Sequence, residues 1–139
     1  MLFVPGISLG GKILSIHSRN AAKEVIDIIG SEFDGKVILH WFSGSLSDLN
    51  KAIDYGYFFS INNEMIKSVN GRKIIELLPL NRILLESDGP FTKTFKNKYD
   101  IDYINDLIIS ISKLKRCKIE NMYDILRSNF KSILERNDK

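Results

Sequence analysis

The chain has 139 residues, enough for one domain with its own hydrophobic core and short for two. Hydrophobic residues make up 44% and charged residues 27% of it, which excludes general disorder. The net charge of +3 permits an acidic partner without indicating one, and the single cysteine, Cys117, excludes an intrachain disulfide and a cysteine metal cluster.

The first eleven residues differ in character from the rest. Residues 1–11 are apolar, but Pro5 and Gly6 interrupt them and no basic segment precedes them, so they do not match a secretory signal peptide. No apolar run reaches the roughly 18 residues that a membrane-spanning helix needs. We divide the chain into an atypical N-terminal lead at 1–11 and one domain at 12–139. A single cysteine fits a reducing compartment, so a cytoplasmic location is expected.

Four short apolar runs have the length of β-strands. They lie at 12–17, 36–41, 57–61 and 82–86. The runs are apolar throughout rather than alternating, which is typical of parallel strands buried on both faces. They predict a sheet of about four parallel strands.

Helical periodicity fills the segments between these runs and the segment after the last one. The predicted helices lie at 20–29, at 45–55, at 62–78 with a break near Gly71, and at two amphipathic stretches, 101–114 and 122–133. Strands and helices therefore alternate along the chain. This order predicts an α/β fold with helices flanking a parallel sheet.

Potential metal ligands stand at the ends of three predicted strands. His17 and His40 each end an apolar run, and Asp88 follows the fourth. The carboxyl ends of parallel strands meet at one edge of a sheet, so the three side chains can share a cavity. Imidazole and carboxylate groups suit a divalent metal (Mg²⁺, Mn²⁺ or Zn²⁺) that activates water for hydrolysis. The alternative is that each histidine is a half-buried polar residue satisfied by a backbone hydrogen bond.

Residues beside these strand ends could bind a phosphate group. Arg19 lies on the loop after the first strand, and its guanidinium can offer two parallel N–H groups to a phosphate. Ser43, Gly44 and Ser45 open a predicted helix, whose first N–H groups form an anion site. The ordinary alternatives are a surface arginine and a plain helix cap at Ser45.

Three short sequences resemble successive signatures of the TatD-related metal-dependent DNases. They are IHSRNA at 16–21, HWFSGS at 40–45 and ESDGP at 86–90, in the family's order. NF at 129–130 is similar to the motif of the family's closing helix. The resemblance covers nearly the whole domain.

The resemblance implies a (β/α)₈ barrel that hydrolyses DNA phosphodiester bonds with divalent metals. It implies that His17 and His40 are metal ligands and that Asp88 is the metal-adjacent carboxylate that orients or deprotonates the attacking water. Glu86 would support the site from the same strand end, and Ser87 stands where family members have Thr. The runs HWFSG and DGPF are also similar to the TatD-like nuclease of the Qat anti-phage system, which implies antiviral defence.

The family's signature is incomplete in this chain. Members begin with a His-x-His pair and add a metal-bridging Glu from a middle strand, whereas this chain has two histidines in all. A barrel of this class needs about 250 residues. We therefore expect the C-terminal half of a TIM-type barrel, with two unpaired edges and an exposed apolar interior. Activity is expected to need the missing N-terminal half, and the expected partners are DNA, that half and other defence subunits.

Two other functions are compatible with the same residues. One is a non-catalytic scaffold or interaction subunit built on a degenerate half-barrel. The other is a different barrel metallohydrolase that acts on a small molecule, since fold and ligand set do not fix the substrate. A reading frame just upstream that encodes His-x-His would favour the nuclease, and an intact start without one would favour the scaffold. Activity on small esters or amides, but not on DNA, would favour the third function.

Overall fold

Strands and helices alternate along the chain in the computed structural model, which describes residues 11–87 and 101–135. The elements are β1 (Lys12–His17), α1 (Ala22–Ile29), β2 (Gly35–His40), α2 (Leu46–Asp54), β3 (Phe58–Ile61), α3 (Asn63–Lys67), α4 (Val69–Leu77), a 3₁₀ turn (Leu80–Arg82), β4 (Ile83–Leu85), α5 (Ile101–Leu114) and α6 (Ile119–Leu134). The predicted alternation is confirmed. Within the described ranges, no helix is long and apolar enough to cross a membrane.

The four strands form one parallel sheet in the order β1-β2-β3-β4. The pairing register sets His17 opposite His40 and His40 opposite Ser60, so the first three strands present these residues in one row. Parallel neighbours need crossover connections, and α1, α2 and the α3–α4 pair provide them. The predicted α/β class with four parallel strands is confirmed.

The main core lies between the outer face of the sheet and the helices. Large aliphatic and aromatic side chains fill it, each contributing about 1.5–3 kcal/mol relative to an exposed position. The fully buried members include Ile26, Leu39, Leu49, Phe59, Ile61, Ile74, Ile83 and Ile111. These residues come from three strands and four helices, so the packing fixes the strand ends that carry the site.

Strand β1 is more exposed than the sequence predicted. All four residues of β3 are buried, as expected for a strand covered on both faces. In β1, however, Ile13 is 46% exposed, and Lys12 and Ser15 are exposed as well. Among the described residues, β1 lies at one edge of the sheet and no helix covers its inner face, so the expected burial on both faces is not seen there. An open sheet with an exposed apolar interior is what the half-barrel interpretation predicted.

The helical segment after β3 breaks earlier than predicted. Helix α3 ends at Lys67 and α4 begins at Val69, and between them Ser68 has extended backbone and accepts a 2.9 Å hydrogen bond from the N–H of Gly71. Gly71 is buried inside α4, where a Cβ atom would collide with the carbonyl oxygen of Met65. The glycine therefore allows the two short helices to approach closely, and the cap at Ser68 starts the second helix.

Helix α6 is anchored beside β4 by a buried amide. The Nδ2 group of Asn129 donates 2.8 Å hydrogen bonds to the carbonyl oxygens of Leu80 and Ile83. Asn129 is only 5% exposed, so these two bonds form largely out of water. They fix the helix to the start of the strand whose other end leads to Glu86.

The inner face of the sheet carries a smaller core cluster and an open groove. Ile133 of α6 packs against Phe58 and Leu84 in this cluster. The neighbouring groove has a volume of about 600 Å³, and its lining includes His40 and Glu86 at one end. The inner face therefore opens onto the strand ends where the sequence predicts the metal site.

Candidate metal centre

The two histidines of the chain lie side by side. Each is the last residue of its strand, His17 of β1 and His40 of β2, and the sheet register pairs them directly. Their Nδ1 atoms are 3.5 Å apart, and their ring centroids are 4.7 Å apart with the planes tilted by 47°. Two ligands separated by 23 positions in the sequence are thus brought together by strand pairing.

The geometry of this pair fits a shared divalent metal ion. Two nitrogens bound tetrahedrally at roughly 2.0–2.1 Å from one zinc ion lie about 3.3 Å apart, close to the observed 3.5 Å. Two facing Nδ1 atoms can share at most one proton between them in a hydrogen bond, whereas a cation between them would satisfy both lone pairs. His17 and His40 therefore suit metal binding through Nδ1.

Glu86 follows β4 and lies beside His40, although β3 separates the two strands. Its backbone N–H donates to the carbonyl oxygen of Ile61 at 3.0 Å, which continues the β3–β4 pairing beyond β4. Its carboxylate side chain is 14% exposed, and Oε2 lies 3.7 Å from Nδ1 of His40. The carboxylate of Glu86 thus lies beside the imidazole of His40.

Two neutral donors from the end of β3 hold the Glu86 carboxylate. The hydroxyl of Ser60 donates to Oε2 at 2.5 Å, and the Nδ2 group of Asn62 donates to Oε1 at 3.0 Å. Asn62 also accepts a 3.0 Å hydrogen bond from the N–H of Met65. The same side chain therefore caps α3 and orients the Glu86 carboxylate. Neither Ser60 nor Asn62 is among the site residues predicted from the sequence. They follow the buried run at 57–59 on alternate positions, the same signal that identified His40.

A buried tyrosine fixes the backbone at the same edge. The hydroxyl of Tyr103 accepts a 3.1 Å hydrogen bond from the N–H of Asn63 and donates a 3.3 Å hydrogen bond to the carbonyl oxygen of Glu86. This single side chain of α5 therefore joins the turns that follow β3 and β4. It stabilises the backbone position of Glu86.

The third predicted ligand, Asp88, lies outside the described residues. Within residues 11–87 and 101–135, no group of three or more His, Cys, Asp or Glu side chains is arranged to hold a metal ion. The carboxylate of Glu86 faces its Ser60 and Asn62 donors as well as His40, which makes it a neighbour of the histidine pair rather than an evident third ligand. The assignment of Asp88 stays a prediction.

The predicted phosphate-binding residues lie on loops at the same edge. Arg19 is exposed, and its guanidinium carbon lies 5.8 Å from the ring centroid of Trp41. Ser45 caps α2: its hydroxyl accepts a 3.1 Å bond from the N–H of Asp48 and donates a 2.6 Å bond to the carboxylate of that residue. This capping box places a negative charge at the helix start, which opposes a second anion there.

Ser43 and Gly44 complete this loop in different ways. Ser43 is exposed and accessible to a ligand. Gly44 is a packing residue, because a Cβ atom would lie 2.6 Å from the Phe42 ring and 2.7 Å from the Cβ of Ala22. The role of Ser43, Gly44 and Ser45 in substrate binding stays a prediction, with Ser43 the member whose side chain is best placed.

Comparison with known proteins identifies the family. The family model described as TatD related DNase matches residues 8–135, and the chain belongs to that family. Human deoxyribonuclease TATDN3 is 38% identical over 77 residues, which are 55% of this chain and 28% of that protein. The metal-dependent hydrolase BU355 of Buchnera aphidicola is 30% identical over 129 residues, or 88% of this chain and 49% of that protein.

Solved structures show the same fold. The crystal structure of YJJV, a TatD homolog from Escherichia coli, superposes with a TM-score of 0.76 at 20% identity, over 87% of this chain and 49% of that one. The chain spans about half the length of the curated relatives that match most of it. Its four-stranded sheet is therefore half of the TIM-type barrel of the family.

Proposed function

We propose that this chain forms part of a metal-dependent hydrolase that cleaves DNA phosphodiester bonds. The observation that carries the proposal is the His17–His40 pair at the carboxyl edge of the sheet, in a chain of the TatD related DNase family. Relatives named deoxyribonucleases and metal-dependent hydrolases support it. The cofactor is a divalent metal, Mg²⁺, Mn²⁺ or Zn²⁺.

Each site residue has a proposed task. His17 and His40 hold the metal through Nδ1, and Asp88 orients the attacking water and accepts its proton. Glu86, fixed by its two neutral donors, supports the centre from beside Nδ1 of His40. The metal, when bound, activates water and stabilises charge on the phosphate. Arg19 and Ser43 would contact the DNA backbone, and Gly44 and Ser45 would shape the loop that carries Ser43.

The proposal includes a second structural half. The histidine pair and one carboxylate leave coordination positions to be filled, and the inner face of the sheet is open along a groove of about 600 Å³. An N-terminal half of the family's barrel, in the same or another polypeptide, would supply further ligands and cover this face. We further propose a role in cytoplasmic antiviral defence, alone or with other defence subunits, on the resemblance of HWFSG and DGPF to the Qat nuclease.

Cleavage by the completed barrel tests the proposed function. The chain is combined with an N-terminal TatD half and assayed on single-stranded and duplex DNA with Mg²⁺, Mn²⁺ and excess chelator. Cleavage should depend on the metal, and Asp88→Asn should lower the rate by several orders of magnitude while the fold is kept. Asp54→Asn, an exposed change on α2, is the matched control. Cleavage that persists in chelator, or an Asp88→Asn variant as active as the parent, would contradict the nuclease function and favour the non-catalytic scaffold.

A further inference from the structure

Trp41 has an unusual backbone conformation next to the metal centre. It directly follows His40, and its φ of +47° lies in the left-handed region, which bulky side chains rarely adopt. The apolar run at 36–41 predicts a strand that includes Trp41. In the structure β2 ends at His40, and the N–H of Trp41 donates a 3.3 Å bond to the carbonyl oxygen of Ser60. Glycine would relieve this strain, so the presence of tryptophan points to a use for its ring.

The neighbouring loop brings a charged group to that ring. Arg19 follows His17 by two positions, and its guanidinium carbon lies 5.8 Å from the centroid of the Trp41 ring. Asn20, next in the chain, is also left-handed with φ of 59°, so the loop turns sharply after β1. The loops that follow His17 and His40 therefore meet in a contact between the Arg19 guanidinium and the Trp41 ring.

The two side chains differ in exposure. Trp41 is half-buried and packs against the main core, whereas Arg19 is exposed. The guanidinium thus lies against the part of the ring that the core leaves uncovered. An exposed cation–π contact of this kind contributes little to stability. Packing alone would explain a buried ring but gives no reason for an exposed, charged side chain against that ring beside the histidine pair.

We propose that Arg19 and Trp41 form a nucleotide subsite, in which an unpaired nucleobase stacks on the Trp41 ring. The base takes the place of the guanidinium, which then donates to the adjacent phosphate. Bases of a duplex are already stacked and paired, so the subsite takes single-stranded DNA. This inference rests on the proposed function and adds the recognition of a base to the contacts with phosphates.

Trp41 is the only tryptophan of the chain, so its fluorescence reports on the subsite directly. An eight-residue oligothymidylate is titrated into this chain in excess chelator, where metal-dependent cleavage cannot occur. Saturable quenching is expected. An abasic oligonucleotide of the same length and charge should bind about tenfold more weakly and quench little, because it lacks the stacking surface.

Variants separate stacking from folding and from cleavage. By fluorescence anisotropy of a labelled oligothymidylate, Trp41→Leu should weaken binding about tenfold and Trp41→Phe much less, since phenylalanine keeps a ring. Tyr123→Leu, which removes an exposed aromatic of α6, should bind like the parent. Arg19→Ala should reduce the slope of log affinity against log salt by about 0.7.

The subsite is overturned if the abasic and base-containing oligonucleotides bind equally, if Trp41→Leu binds like the parent, or if oligothymidylate does not bind. If Trp41→Leu does not fold, the abasic comparison and Trp41→Phe still decide. None of these results bears on metal-dependent cleavage by the completed barrel, which is a separate question. Loss of that cleavage with intact quenching would instead overturn the proposed function.

Discussion

The hydroxyl of Ser60 donates a 2.5 Å hydrogen bond to Oε2 of Glu86, joining the end of β3 to the end of β4. Asn62 holds the other oxygen, and Oε2 lies 3.7 Å from His40. Groups that hold the residues around a metal centre commonly change metal affinity about 10- to 100-fold when removed. The hydrogen bond between Ser60 and Glu86 therefore connects Ser60, which was not predicted from the sequence, to the metal centre.

Ser60→Ala should weaken metal binding by the completed barrel at least about tenfold, because the Glu86 carboxylate loses a fixed donor and can rotate away from His40. Calorimetric titration with Mn²⁺ measures the change. Ser110→Ala, which removes a hydroxyl bonded within α5, is the matched control and should bind like the parent. Equal affinity of Ser60→Ala and the parent would remove the positioning role of Ser60.

Asn129→Ala should lower the free energy of unfolding by about 2 kcal/mol, since two hydrogen bonds are lost and the carbonyl groups of Leu80 and Ile83 lose that donor. Urea denaturation measures the change. Asn105→Ala removes an exposed amide that accepts from Tyr123 and should change stability by less than about 0.5 kcal/mol. Similar values for the two variants would contradict the anchoring of α6 through Asn129.

Burial raises the pKa of Tyr57 to about 12, and its hydroxyl donates a 2.6 Å hydrogen bond to the carbonyl oxygen of Gly30. The neutral phenol is thus favoured by folding. Its contribution to stability is fully present below pH 10, the ordinary pKa of the side chain, and is lost as the pH rises through about 12. Tyr57→Phe should cost about 1 kcal/mol near neutral pH and abolish this alkaline loss. Stability curves from pH 8 to 12 test both, and identical curves for variant and parent would contradict the assignment.

Much of the fold could be predicted from the local pattern of apolar residues, and the predictions that failed did so for physical reasons. Continuous apolar runs predicted all four strands, because parallel strands in a barrel bury both faces. The same rule does not hold for β1, where Ile13 is exposed, because β1 lies at one edge of the described sheet, as the half-barrel interpretation predicts. The helix break was misplaced at Gly71 because a glycine that permits close packing looks like one that ends a helix.

The site was only partly predictable for similar reasons. His17 and His40 were found because each ends an apolar run, and pairing of adjacent parallel strands brings such ends together. Ser60 could have been found by a similar rule, because it is a polar residue near the end of the apolar run at 57–61. The contact of Arg19 with Trp41 was out of reach, since it depends on a left-handed φ that side-chain pattern does not encode.

The chain alone should bind metal weakly. The histidine pair leaves coordination positions open, and the open groove beside it leaves the site accessible to water. Calorimetry with Zn²⁺ and Mn²⁺ should show low affinity, lowered further by His17→Ala. Tight stoichiometric binding that survives His17→Ala would contradict the assignment of this histidine.

The most direct test of a shared metal site is nuclear magnetic resonance of the two histidine rings during a titration with Zn²⁺, a method that detects weak binding. The chain has only two histidines, so every ring signal can be assigned with His17→Ala and His40→Ala variants. The Nδ1 resonances of both rings should shift over the same range of Zn²⁺ concentration, and Nε2 should keep its proton in both rings. Either variant should abolish the shift of the remaining ring. Independent shifts of the two rings, coordination through Nε2, or no shift of either ring would contradict a metal held between His17 and His40.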